Sequence, residues 1–171
     1  MKSIFSIVIL SLFIFTSCSS QPQPFVAGQD DCHLCKMGLA DFKYGGEIIT
    51  KKGKVYKFDD MRCMINFIKS NSIEENNISR TLTMNFNKPN EFIDVKNAWF
   101  AVSPELRSPM GSNAAGLATK EEAEKLKGST GQLLRWTDLY GQWLYRVLFH
   151  LYLLLVFQYF SRTAFCLPAS T

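Results

Sequence analysis

The eight residues Asp31-Cys32-His33-Leu34-Cys35-Lys36-Met37-Gly38 place two thiols and a thioether within six positions of one another. Sulfur donors are soft, and soft donors select Cu(I) over the hard cations that prefer oxygen. One turn of chain brings two or three of these sulfurs to a point. A second sulfur-rich cluster, Met61-Arg62-Cys63-Met64, opens a helical stretch, and Met110-Gly111 lies in a polar loop. Met37 and Met110 sit among polar and glycine residues, where core packing is a weak explanation for a methionine. Met61, Met64 and Met84 recur at apolar spacings and read first as core filler. Cys63 likewise reads first as a buried helix residue.

Other chemistries fit the cysteine pair less well. A c-type haem site needs His directly after the second Cys, and Lys36 stands there. A zinc ribbon needs a second Cys pair; Cys63 and Cys166 are isolated, and a zinc site would have to recruit His33 or His150 from unrelated contexts. A thioredoxin-like pair follows a strand and opens a helix, whereas Cys32-x-x-Cys35 follows a polar segment and precedes glycine-containing chain. A structural disulfide in an oxidising compartment stays open. His33 also reads as a loop histidine without a role.

The elements that must position these residues begin with an export signal. Lys2 is followed by an apolar run over 3–16, then Ser17-Cys18, then a polar stretch over 19–24. Phe15-Thr16-Ser17-Cys18 resembles the lipobox of bacterial lipoproteins, which implies a signal peptide over 1–17, lipidation of Cys18, and 18–30 as a flexible tether at a cell-envelope membrane. Strands are expected over 47–50 and 55–58 around a Gly53 loop. A helix follows, capped by Asp59 or Asp60, with apolar residues at Met61, Met64, Ile65 and Ile68; a strand over 80–86 is stopped by Asn87-Lys88-Pro89-Asn90. Further strands are expected over 92–95, 98–102, 116–118 and 131–136. Thr119 and Glu122 form a capping box for a helix that Gly128 ends. The order ββαβ thus occurs twice, over 31–90 and 91–140, an α+β chain of two small units.

The segment 143–160 is apolar apart from Arg146, His150 and Gln158, so it lacks the polar face of a surface helix and is a poor membrane span. It reads, within 141–171, as an atypical tail beyond the compact domain, of the kind a change of reading frame produces. The 171 residues carry 19 Lys+Arg and 15 Asp+Glu. Setting aside Lys2, Arg146 and Arg162 leaves sixteen basic against fifteen acidic groups between residues 19 and 140, so nothing points to nucleic acid as a partner. No nucleophile, base and orienting group stand at recognisable spacing, which argues against an enzyme.

Taken in order, the lipobox Cys18, Asp-x-Cys-x-x-Cys-x-Met-Gly, Gly-Lys-x-Tyr-Lys-Phe-Asp-Asp-Met-x-Cys-Met and Ser-Pro-Met-Gly resemble the NosL lipoproteins, from Cys18 to about Tyr140. The resemblance implies two ββαβ units and a Cu(I) metallochaperone facing the periplasm or cell exterior. Its implied partners are nitrous oxide reductase, that enzyme's copper-maturation membrane complex, and the membrane that holds the lipid. It places copper near Cys35, Met37 and Met110, with Cys32 binding or auxiliary, and leaves Cys63, Met64 and His33 as auxiliary candidates. Two or three sulfurs on loops hold Cu(I) yet leave a position through which an acceptor's ligand can enter. The Asp59-Asp60 pair caps the helix in this reading, because carboxylates are poor Cu(I) ligands. The rival is a thiol-disulfide oxidoreductase working through Cys32 and Cys35 to keep copper-ligand cysteines reduced.

Overall fold

The computed structural model describes residues 21–39 and 41–142; the signal peptide, Cys18, Cys166 and the apolar tail beyond 142 lie outside the described residues. The chain is α+β. Strands β1 (Gly46–Thr50), β2 (Val55–Phe58), β3 (Ile78–Asn85) and β4 (Lys88–Asp94) form an antiparallel sheet in the order β2-β1-β3-β4. Strands β5 (Trp99–Val102), β6 (Ala114–Leu117) and β7 (Gln132–Leu134) form a second, in the order β6-β5-β7. Helix α1 (Met61–Lys69) follows β2 and helix α2 (Lys120–Lys127) follows β6, so ββαβ occurs twice.

The element β4 differs from the sequence expectation. Asn87 through Asn90 read as a stop that closes the first unit, but the strand runs through Lys88 and Pro89 and pairs with β3, putting residues 91–94 in the first sheet. Proline is tolerated because β4 is an edge strand and no ladder donor is lost. The chain also turns helical from Trp136 rather than remaining a strand there; Asp138 accepts the Arg135 N–H, and the Leu139 N–H returns to the Arg135 carbonyl.

The second sheet works with both faces. Phe100, Ala114 and Leu134 belong to the main core with α1 and the first sheet, whereas Ala101, Ala115, Leu117 and Leu133 face a smaller core under α2. That is the period-two alternation of a strand covered on both sides. The sheets meet where the Phe86 N–H donates to the Gly116 carbonyl at 2.9 Å. A Cβ at Gly116 would collide with the Thr83 hydroxyl, so the close approach needs glycine there.

The expected flexible tether over 18–30 is cut short. Phe25 is buried, its ring edge-on to Phe42 and Phe92, and its backbone is bound in both directions by Asn90. The Gln23 N–H donates to Glu47 Oε2 at 3.1 Å, and Lys57 Nζ donates to the Pro24 carbonyl at 2.9 Å and to Asp30 at 2.8 Å. Burying one aromatic ring outweighs the polar, proline-containing context that made the segment read as a linker.

This strap holds Glu47 in the interior with Oε1 unpartnered among the described residues. Burial pushes its carboxyl up to about 7, against the smaller opposing pulls of the Gln23 N–H and Lys57. A carboxyl raised in the folded state binds more protons there than in the unfolded chain, so stability is lost as pH rises from the ordinary glutamate value through 7. Glu47→Gln keeps an acceptor for Gln23 and removes the charge. It is expected to be more stable than the parent by about 1–3 kcal/mol at about pH 8 and equal to it near pH 4, as read by chemical denaturation. Equal stabilities at both pH values would contradict the assignment.

Candidate metal centre

Residues 31–38 form a tight loop. Asp31 bridges to Gly38, the Cys32 N–H donates to the Met37 carbonyl at 2.8 Å, and the Lys36 N–H donates to the Cys32 carbonyl at 2.9 Å. Lys36 takes the left-handed φ of 62° that closes the turn. The His33 N–H donates to the Lys57 carbonyl at 2.8 Å, which fixes the loop beside the end of β2, and Lys57 also grips the strap. The loop that carries Cys32, Cys35 and Met37 is therefore tied to the first sheet through His33.

From β2 the chain passes through Asp59-Asp60 into α1, and this junction separates two roles that sequence reading merged. Asp60, in extended conformation, is the N-cap and accepts the Arg62 N–H at 2.7 Å. Its other oxygen accepts from the Ser108 hydroxyl at 2.6 Å, the Met110 N–H at 3.0 Å and the Ser112 N–H at 3.4 Å. Asp59 faces the thiol loop. The Cys35 thiol donates to Asp59 Oδ2 at 3.7 Å, a long sulfur hydrogen bond, while Asp59 Oδ1 is buried without a hydrogen-bond partner among the described residues.

Ligand atoms of Cys32, Cys35, Cys63 and Asp59 all lie within 4.8 Å of one another. All three cysteines are free; Cys32 and Cys63 are buried and Cys35 is half-exposed. Cys63, read from sequence as a helix core residue, is both that and a member of the cluster, since the first turn of α1 turns it towards the loop. Asp59 was the residue missed. The available signal was that a helix uses one side-chain N-cap, which leaves the other of two consecutive aspartates without a capping role.

The hydrogen bond from the Cys63 S–H lowers the Cys32 thiol to about 6 despite its burial, and the same interaction raises Cys63. Burial raises Cys35, helped by the neighbouring Cys32 and Asp59. A thiolate within the Cys32–Cys63 pair is thereby favoured, and Cys35 is held towards its protonated form. A thiolate is the form that binds metal, and the remaining protons leave as further sulfurs coordinate.

The other predicted residues fall in two groups. Met37 is 47% exposed, on the solvent side of the thiol loop. Met110 is half-buried against the core that contains Cys32 and Cys63, its backbone held by Asp60. Through the Asp59-Asp60 junction the Met110 loop and the thiol loop thus share one anchor. Met64 lies fully buried in the core near Gly46, as do Met61 and Met84, consistent with packing. His33 packs edge-on against Tyr56 and Phe67 and is not among the four clustered ligand residues. Its imidazole is held below its usual value by burial and by Lys36 and Lys54.

Comparison with known proteins meets this geometry. The NosL family model matches residues 24–144. The copper-binding lipoprotein NosL of Stutzerimonas stutzeri is 27% identical over 121 residues, covering 64% of this chain and 62% of the relative, so the chain spans less than two thirds of that relative's length. The crystal structure of the copper chaperone NosL from Shewanella denitrificans is similar with a TM-score of 0.60 and 26% identity, over 70% of this chain and 96% of that one. The family match covers well over half of the sequence and contains the thiol loop, the Asp59-Asp60 junction and the Met110 loop, and the chain belongs to the NosL family.

Proposed function

We propose that this chain is a copper carrier of the cell envelope. It binds Cu(I) through Cys32 and Cys35 with thioether donors from Met37 and Met110, and delivers it to the assembly of the copper centres of nitrous oxide reductase. The observation that carries the reading is the convergence of three free thiols, one of them half-exposed, within 4.8 Å in a chain whose similar relatives are named as a copper-binding lipoprotein and a copper chaperone. Soft sulfur favours Cu(I), and the half-exposed Cys35 and solvent-facing Met37 leave a side from which an acceptor's ligands can displace the chain's own. Cys63 lies beside Cys32 in the cluster as a third sulfur. Asp59 is a hard oxygen and acts on the Cys35 thiol rather than on the metal.

The carrier is not an enzyme in this reading. It is held through a lipid on Cys18, and its partners are the reductase and the membrane complex that matures its copper centres. Support for the anchor comes from the lipobox-like Phe15-Thr16-Ser17-Cys18 and from a relative named as a lipoprotein.

The thioethers separate a copper carrier from a thiol-disulfide oxidoreductase that uses the same cysteine pair. Met37→Ala and Met110→Ala are each expected to weaken Cu(I) binding about tenfold, or ~1.4 kcal/mol, in anaerobic competition with a chromophoric chelator. They leave the reduction of a disulfide substrate unchanged. Unchanged Cu(I) affinity in both variants, with thiol reductase activity in the parent, would favour the oxidoreductase.

A further inference from the structure

We propose that the thiol cluster is also a disulfide-exchange site, in which Cys32 and Cys35 close into a bond when the metal is absent and a disulfide-bearing partner is present. Copper then enters only the dithiol form. This consequence rests on the carrier reading; the exchange chemistry itself does not.

The geometry favours that pair. Cys32 and Cys35 lie three positions apart within the five-residue turn that the Lys36 N–H closes on the Cys32 carbonyl, and residues so spaced across a turn stand within about 7 Å of each other. A disulfide spans Cα atoms about 4.4–6.8 Å apart, so the bond forms within the loop, by side-chain rotation from sulfurs already inside a 4.8 Å group. Access differs across the cluster. Cys35 is half-exposed, whereas Cys32 and Cys63 are buried, so Cys35 is the sulfur that a partner reaches first.

The exchange runs in two displacements. The Cys35 sulfur, having lost its proton, attacks one sulfur of the partner's disulfide; a mixed disulfide forms and the partner's other sulfur leaves as a thiolate. The Cys32 sulfur then attacks Cys35, the Cys32–Cys35 bond forms, and the partner's second sulfur is released. The carrier's two thiols give up two electrons and two protons in all, and the partner's disulfide becomes a dithiol. Cys63, fixed on the first turn of α1 behind Cys32, remains a thiol. Two sulfurs that would bind Cu(I) are consumed, and a dithiol partner working in reverse restores them.

The test uses the metal-free full chain treated with oxidised glutathione, then alkylated and mapped by peptide mass, with Cu(I) uptake measured on the same samples. The expected result is a peptide carrying Cys32 and Cys35 that is lighter by about 2 Da and resists alkylation, while Cys63 still alkylates. Cu(I) uptake is lost and returns with dithiothreitol, and prior Cu(I) loading blocks the reaction. Cys35→Ser, a change at a half-exposed position, forms no bond in the loop. Cys32 and Cys35 that remain alkylatable would overturn the proposal, as would a bond that links the Cys63 peptide or an oxidised chain that takes up Cu(I) like the reduced one. A reduced chain that takes up no Cu(I) would sink the carrier reading alone, because the peptide masses decide the exchange independently.

Discussion

Cys35→Ser is expected to cost the chain at least about a hundredfold in Cu(I) affinity, ~2.8 kcal/mol, with little loss of folding stability. The floor follows from a comparison: removing groups that merely orient a metal's ligands costs about 10–100-fold, and a ligand must be worth more. The small stability effect follows from position, since Cys35 is half-exposed and its hydrogen bond to Asp59 can be made by a serine hydroxyl. Cys32→Ser provides the contrast. That side chain is fully buried beside Cys63, so the variant loses comparable affinity and is destabilised as well, by about 1–3 kcal/mol, because the smaller hydroxyl fills less of the space that the sulfur occupies. Chelator competition and urea unfolding on both variants check the pair. A Cys35→Ser chain that keeps its Cu(I) affinity would remove this residue from the site.

The second large effect is at Asp60, which touches no sulfur. Its carboxylate is fully buried and takes four donors, two of them from the Met110 and Ser112 backbone. Asp60→Asn turns one of those oxygens into a donor facing donors. The expected destabilisation is about 2–4 kcal/mol, from a weakened helix cap and unsatisfied backbone N–H groups. The copper consequence is separable by a double-mutant cycle. If Asp60 positions Met110, Met110→Ala lowers Cu(I) affinity in the parent but adds little once Asp60→Asn is present. An undiminished effect of Met110→Ala in the Asp60→Asn background would reduce Asp60 to a structural cap.

Much of this arrangement was legible in the sequence because it is local. The Thr119–Glu122 capping box, the apolar spacing of Met61, Met64, Ile65 and Ile68, and the Gly53 hairpin all depend on neighbours in the chain, and each appears as expected. The thiol loop was visible as a motif for the same reason. What stayed hidden depends on distant partners. Cys63 joins the cluster because the Lys57 carbonyl binds the His33 N–H and sets the loop beside the start of α1. Asp59 and Asp60 cannot be told apart until their surroundings are known, since both can cap. Phe25 looked like part of a linker because its partners, Phe42, Asn90 and Phe92, lie far along the chain. Pro89 read as a stop because an edge strand, where proline is harmless, is a property of the sheet and not of the residue.

A sulfur site for Cu(I) on the thiol loop has a direct signature in the copper K-edge X-ray absorption spectrum of the reduced full chain loaded anaerobically with one equivalent of Cu(I). The expected spectrum has a Cu(I) edge and sulfur alone as the copper's nearest neighbours, with fewer of them after Cys35→Ser. A shell dominated by nitrogen or oxygen, or a spectrum unchanged by that substitution, would contradict it.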